Sequence, residues 1–343
     1  MIISRTPYRV SFFGGGTDYP EWSRREGGAV LSTTVDKYCY VSCRLLPPFF
    51  NIRYRVVWSH IETVSTIDEI LHPAVREGLR SLGFDDSTAL EIHHQGGLPA
   101  RAGMGSSSTF AVGLIKALTA LRGRMVSKPE LARQAIELEQ VRLRESVGSQ
   151  DAVAAAHGGL NVIHFLPDGE IRVAPVTIPA ARTAELQARL LLFYLGSSRL
   201  ASAIAADVVA NLPSRHEELH RMRRMVDEAV TILNTGADLD DFGRLLGESW
   251  MLKRQLSRAV STASVDRVYQ TAMDHGALGG KLLGAGGTGF MLFYVPPDRQ
   301  AEVIASLPTC VHVPFQFESE GSAIIYYAPD DSLVALERAM QAA

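Results

Sequence analysis

The sequence predicts an α+β protein of two domains, and three observations lead there. Its 343 residues exceed what a single hydrophobic core commonly serves, so two compact units are expected. Runs rich in Ile, Val, Tyr and Phe open the chain and return near its end, with amphipathic helical stretches between them. Helices laid on an antiparallel sheet fit that order. Glycine-rich turns adjoin these elements at three well-separated places.

Composition narrows the class. With 46% hydrophobic and 21% charged residues the chain has the balance of a soluble globular protein. A net charge of -3 gives no reason to expect nucleic acid or membrane as a partner through bulk electrostatics. The start, MIISRTPYRV, lacks the basic region and apolar core of a signal peptide. No apolar run approaches the length that crosses a bilayer. Cys39, Cys43 and Cys310 are too few for a disulfide framework, and the first two share a strand face with Val41. A cytoplasmic enzyme or binding protein is expected.

Residues 2–13 suit a strand and run into Gly14-Gly15-Gly16-Thr17-Asp18-Tyr19. Adjacent glycines admit positive φ and close approach to a ligand, although Asp18 could equally accept the turn's own N–H groups. Residues 38–45 alternate as a strand, with 51–59 as partner across Pro47-Pro48. A helix is expected at 72–82 and a strand at 89–94, where no third ligand stands at a metal-binding distance from His93 and His94.

Residues 96–109, GGLPARAGMGSSST, lead into a helix striped by Phe110, Leu114, Ala117, Leu118 and Leu121. A glycine turn at a helix N-terminus offers free N–H groups and the positive end of the macrodipole, both favourable to phosphate. A Ser-capped helix after a flexible turn would read the same way. The turn is neither of two familiar kinds. No Gly-Lys-Ser/Thr ends it, and Ser108 occupies the last position of Gly-x-Gly-x-x-Gly.

A second helix is expected over 128–145, capped by Ser127, with Leu131, Ala135, Leu138, Val141 and Arg142 on one side and most of Glu137, Glu139 and Glu145 in solvent. After a break at 146–151 a small-residue helix covers 152–157, and Asp151 could serve simply as its cap. Residues 160–165 and 171–176 read as a hairpin about Pro167-Asp168-Gly169. Pro175 and Pro179 mark a boundary between a domain of residues 1–180 and one of 181–343. A strand at 190–195, a mostly helical stretch at 201–251 with a solvated charged face at 215–224, and a third glycine turn at 281–289 follow. Strand 290–295, helix 298–307 and strands 312–317 and 323–328 complete the chain.

The three glycine segments stand in the order and at the separations used by the GHMP kinases, named after galactose, homoserine, mevalonate and phosphomevalonate. Residues 6–19 resemble the family's sugar-binding first motif. Pro99-x-x-x-Gly103-x-Gly105-Ser106-Ser107 resembles its phosphate loop, and residues 281–289 resemble its third motif. Gly148-Ser149-Gln150-Asp151 is similar to the segment holding the family's catalytic aspartate. Arg53-Tyr54, His72-Pro73-Ala74-Val75-Arg76 and Gly158-Gly159-Leu160-Asn161 resemble the branch that phosphorylates D-glycero-D-manno-heptose 7-phosphate at C1.

The resemblance implies a ribosomal-S5-like N-terminal domain, a ferredoxin-like C-terminal domain, and ATP with Mg²⁺. It assigns ATP to Pro99, Gly103, Met104, Gly105, Ser106, Ser107 and Ser108. The sugar or sugar phosphate falls to Gly14, Gly15, Gly16, Thr17 and Asp18, with Gly286 and Gly287. Asp151 becomes the general base and Arg9 the cation near the acceptor oxygen. Ser107 and a glutamate, Glu139 with Glu137 as competitor, become the Mg²⁺ ligands; hard oxygen donors suit that ion. Trp58 is a candidate adenine contact, and a homodimer is possible.

The resemblance also has departures. Galactokinase-like members carry Gly-Glu-His-Thr-Asp-Tyr where this chain has Gly14-Gly15-Gly16-Thr17-Asp18-Tyr19. Losing the acid at Gly15 removes a sugar contact and a negative charge, which a larger phosphorylated sugar would suit. Arg24, Arg25, Lys37 and Arg101 are candidate phosphate partners. The turn Leu195-Gly196-Ser197-Ser198-Arg199 also departs from the family pattern. The alternatives are a 1-kinase for fucose, galactose or arabinose, and a non-catalytic sugar sensor on the same fold.

Overall fold

The computed structural model describes residues 1–47, 50, 52–100, 102–196 and 201–329. The chain opens on β1 (Ile2–Phe13), α1 (Pro20–Glu26) and β2 (Gly28–Leu45). β2 is 18 residues long, and its length organises the first sheet: β1 lies antiparallel along one edge, and later strands share the other. β3 (Tyr54–Val57), β4 (Ile61–Val64), α2 (Pro73–Ser81) and β5 (Leu90–Gly96) follow. Among the described residues the expected pairing of 51–59 with 38–45 is not made. β5 takes that edge with a ladder from Cys39↔Gly96 to Leu45↔Leu90, longer than the short β3 could form, and β3 lies parallel to β5 and antiparallel to β4.

α3 (Ser106–Leu121) starts directly from the glycine turn and packs across β1 and β2. α4 (Lys128–Ile136), capped by Ser127, passes without a break into a π-helical turn at 137–142. The wider turn rotates everything beyond it relative to a 3.6-residue period. Val141, expected on the apolar stripe, is therefore 66% exposed, whereas Glu139, one of three glutamates of which most were expected in solvent, is buried. α5 (Gln150–His157) begins two residues earlier than its apolar run, and β6 (Asn161–Phe165) and β7 (Ile171–Pro175) form the expected hairpin.

The next elements are α6 (Ala180–Ala188), β8 (Leu190–Tyr194), α7 (Ala201–Asn211), α8 (His216–Asn234) and α9 (Asp240–Leu256). α10 (Ala263–Asp274), β9 (Gly279–Leu282), β10 (Phe290–Tyr294), α11 (Gln300–Ser306) and β11 (Val311–His312) follow. A four-stranded antiparallel sheet results, in the order β11-β8-β10-β9. The charged stretch on α8 is not wholly solvated, since Leu219 and Met222 within it are buried.

The single strand expected at 312–317 is two. β11 pairs with β8, while β12 (Phe317–Glu318) pairs with β2 in the first sheet, and β13 (Ala323–Tyr327) pairs with β1. Pro314 lies between them and has no N–H for a ladder. The division at residue 180 thus fails for the last strands, which return to complete the sheet built by the first half. Phe12 and Phe13 on β1 meet Phe242 of α9 edge-on at 5.4 and 5.0 Å between ring centroids, so the two halves share one core where the glycine segments converge.

Candidate active site

Gly103 and Gly284 bring the second and third glycine segments into contact. A Cβ on Gly284 would lie 2.3 Å from Gly103 Cα, and one on Gly103 would lie 2.5 Å from the Leu283 carbonyl oxygen. Both residues have positive φ, 89° and 68°, so only glycine meets the conformation and the approach together. The Phe290 N–H donates to the Ala102 carbonyl at 2.9 Å. From α9, Lys253 Nζ donates to the carbonyls of Leu282 at 2.7 Å and Gly284 at 2.5 Å, tying the third segment down.

Beneath this junction lies Arg9 of β1, 3% exposed. Its Nε and Nη2 donate to Asp151 Oδ1 and Oδ2 at 2.7 and 2.6 Å, and its Nη1 donates to the Gly103 carbonyl at 2.8 Å. Such a bidentate pair fixes orientation as well as charge. The arginine side chain is sealed in, while the Asp151 side chain stays 22% exposed. Gly105, which opens α3 at φ 75°, passes directly over that carboxylate: a Cβ there would lie 3.1 Å from Asp151 Oδ2. The base candidate, the arginine and the phosphate-loop candidate are thus brought together.

The first glycine segment is divided in its roles. Gly14 has φ 80°, and a Cβ on it would lie 1.8 Å from the Ala29 carbonyl oxygen. Thr17 Oγ1 is occupied with the Gly14 carbonyl at 2.8 Å and the Ala29 backbone at 3.1 Å. Gly16 packs against Leu219 and Leu256. These three, expected to touch substrate, build the turn. Asp18, expected to accept sugar hydroxyls, is 0% exposed. It accepts the Gly16 N–H at 3.0 Å, the Gln150 N–H at 3.1 Å and Gln150 Nε2 at 3.0 Å, which anchors α5 and so Asp151. Burial, opposed by these bonds, raises its proton affinity. Gly15 alone in this turn faces outward in part.

Of the two glutamates, the π-turn decides. Glu137 lies at the surface against Arg133 and Arg142 at 3.3 and 3.5 Å. Glu139 points inward, 1% exposed, and its Oε2 accepts Ser108 Oγ at 2.7 Å. Its Oε1 has no hydrogen-bond partner among the described residues. Burial pushes this carboxyl up to about 8, against the pull of the Ser108 and Ser107 hydroxyls. A buried carboxylate oxygen lacking a donor, beside two hydroxyls, fits a hard divalent cation. The hydroxyl bonded to Glu139 is that of Ser108; Ser107 is exposed and lies 3.5 Å from Glu145.

The other expected residues are scattered. Met104 is buried, with its carbonyl accepting the Arg9 N–H, and Pro99 is exposed. Gly286 and Gly287 pack on Val260. Trp58 Nε1 donates to Glu62 at 2.7 Å, and its ring meets His72, which in turn meets Phe110 in the second turn of α3. Arg24 and Arg25 are exposed on α1, Lys37 pairs with Asp36 at 2.8 Å, and Arg101 and Ser197–Arg199 lie outside the described residues. Sequence reasoning missed two lysines, Lys281, which is buried, and Lys253, which is partly buried. Lys281 donates to the Phe12 carbonyl at 2.8 Å, and burial followed by Arg9 lowers its pKa to about 7. Lys253 is pushed well below the usual lysine range, first by burial and then by Lys281. Lys281 stood inside a quoted motif; Lys253 had no local signal at all.

A positive-φ glycine turn feeding a helix N-terminus, set over a carboxylate held by arginine, suits transfer of a phosphoryl group to a small acceptor. The class defined by this fold and site is a small-molecule kinase. The chain belongs to the GHMP kinase family: the profile of the GHMP kinases N terminal domain matches residues 69–159, and that of the GHMP kinases C terminal matches residues 229–311. It is an ATP-dependent sugar kinase of that family. The D-glycero-alpha-D-manno-heptose 7-phosphate kinase of Campylobacter jejuni is 29% identical over 317 residues, covering 89% of this chain and 93% of that one. The L-fucokinase/L-fucose-1-P guanylyltransferase of Bacteroides fragilis is 25% identical; the match takes in 88% of this chain and 35% of that protein. Among solved structures, a D-glycero-D-manno-heptose 1-phosphate kinase from Bacteroides thetaiotaomicron superposes with a TM-score of 0.79 at 24% identity, over 96% of this chain and 100% of that one, and shares the fold. No helix among the described residues is long and apolar enough to cross a membrane.

Proposed function

We propose that this kinase transfers the γ-phosphoryl group of ATP to the anomeric C1 hydroxyl of D-glycero-D-manno-heptose 7-phosphate, giving the 1,7-bisphosphate for nucleotide-heptose synthesis. The observation that carries the chemistry is the Asp151 carboxylate, partly open beside Gly105 and locked by Arg9. The heptose assignment is supported by the similarity to the Campylobacter relative over most of both chains.

In this reading the N–H groups of 103–108, at the start of α3, hold the triphosphate. Asp151 accepts the proton of the C1 hydroxyl, and Arg9 keeps the carboxylate aimed. Glu139, with Ser107 and Ser108, would hold Mg²⁺, which supplies neutralisation of the phosphate oxygens when bound. Lys253 and Arg9 hold the third and second glycine segments in place through their carbonyls.

The test is ADP release with Mg-ATP, comparing heptose 7-phosphate, unphosphorylated heptose, mannose, galactose and fucose. Preference for the 7-phosphate is expected. Turnover confined to fucose would favour the second reading, an L-fucose 1-kinase, for which the Bacteroides fragilis relative speaks. Sugar binding with no turnover on any substrate would leave the sensor.

A further inference from the structure

Gly15 stands apart from its neighbours. Gly14 and Gly16 have positive φ, and Gly15 does not. A Cβ at Gly15 would meet nothing closer than 3.4 Å, ordinary van der Waals contact. Neither backbone conformation nor space therefore requires glycine here, and alanine would be accommodated by the protein itself. The three nearest atoms to that empty Cβ position are Gln150 Nε2 at 3.4 Å, Ser11 Oγ at 3.6 Å and Gln150 Oε1 at 3.9 Å. Two of them, Ser11 Oγ and Gln150 Oε1, are buried with no hydrogen-bond partner among the described residues. Buried polar atoms are rarely left so, and two converging on one small vacancy point to a group supplied from outside.

Building on the sugar-kinase reading above, we infer that Ser11 and Gln150 determine specificity by binding one neutral hydroxyl of the sugar in the space that Gly15 leaves open. The hydroxyl donates to Gln150 Oε1 and accepts from the Ser11 hydroxyl, so each orphan is satisfied with the right polarity. The amide orientation is settled by Asp18, whose Oδ1 needs the Nε2 donor at 3.0 Å. A phosphate does not fit. Its oxygens only accept, and would set like lone pairs against Gln150 Oε1 beside the Asp18 carboxylate. The vacancy created by losing an acid at Gly15 thus suits a hydroxyl-bearing part of the sugar, and the 7-phosphate of the proposed substrate lies elsewhere.

The experiment compares wild type, Gly15→Ala and Ser11→Ala in steady-state kinetics with heptose 7-phosphate and with unphosphorylated heptose, each with Mg-ATP. Both variants should raise KM for sugar about tenfold and leave KM for ATP within about twofold. The penalty should be the same factor on both sugars, and the double variant should lose less than the product of the single losses, because both act on one hydroxyl. Unchanged thermal unfolding is expected for both, which excludes a folding defect as the cause. Sugar KM values equal to wild type would overturn the inference, as would a Gly15→Ala penalty that disappears on the unphosphorylated sugar, which would put the phosphate at this point. Absence of wild-type turnover on any sugar would instead sink the kinase assignment itself, and this inference with it.

Discussion

Arg9 and Asp151, 142 residues apart in sequence, are joined by two parallel hydrogen bonds of 2.7 and 2.6 Å. The strand that carries the arginine and the short helix that carries the aspartate are set by separate contacts, chiefly Asp18 with Gln150. The carboxylate is thereby held against the Gly105 turn. Asp151→Asn keeps the shape and removes the charge. Turnover should fall about a hundredfold or more while ATP affinity stays within about twofold. Single-turnover kinetics and an ATP titration check this; equal loss of both would make Asp151 a structural cap.

Glu139 is buried with one oxygen unpartnered, and its burial favours the protonated form. Glu139→Gln should therefore leave thermal stability without ligands unchanged or slightly raised, while activity at fixed Mg²⁺ falls about a hundredfold or more. Glu137→Gln, at the surface, should change neither. A stability loss of several degrees in Glu139→Gln with activity retained would remove Glu139 from the proposed Mg²⁺ ligands.

The junction of Gly103 with Gly284 tolerates no side chain. Gly284→Ala must move a backbone that sits 2.3 Å from the new Cβ, at φ 68°. A loss of about 2–3 kcal/mol in urea unfolding is expected, together with loss of activity, from the positive φ and the clash combined. Gly123→Ala, where a Cβ has positive φ but open space, should cost about 1 kcal/mol and leave the kinetics intact. Equal losses would show that the contact contributes nothing beyond conformation.

Lys281 has its pKa lowered to about 7 by burial and by Arg9. The unfolded chain binds this proton up to the usual lysine range, so between about pH 7 and 10 the unfolded state carries more protons than the folded one. Stability from this group then rises with pH across that window and is lost as pH falls toward 7. Lys281→Met removes the dependence. The difference in Tm between wild type and variant, measured from pH 6.5 to 9.5, should move in favour of wild type as pH rises; a flat difference would mean that Lys281 stays charged throughout.

Much of this was legible locally. Three glycine segments, the α3 stripe after 96–109 and the 160–176 hairpin are properties of short stretches, where period, turn chemistry and residue type report directly; Arg9, Asp151 and Glu139 became candidates only through the resemblance of those segments to the family. Val141 left the apolar stripe and Glu139 turned inward because one π-turn shifts the helical phase, and phase is set by packing against α2 and α3. Lys253 carried no motif, since only the fold brings α9 beside the Gly103–Gly284 junction.

The sequence by itself determined in what order the segments come and, through their resemblance to the family, which residues are candidates for the chemistry, because glycine conformation, helix starts and charge are local. The tertiary structure alone decided which of them meet. It turned Asp18 and Thr17 from substrate contacts into supports, left Gly15 open beside Ser11 and Gln150, and returned β12 and β13 to the first sheet. These outcomes depend on long-range packing and on which buried polar atoms find partners, and neither is written in any single stretch of chain.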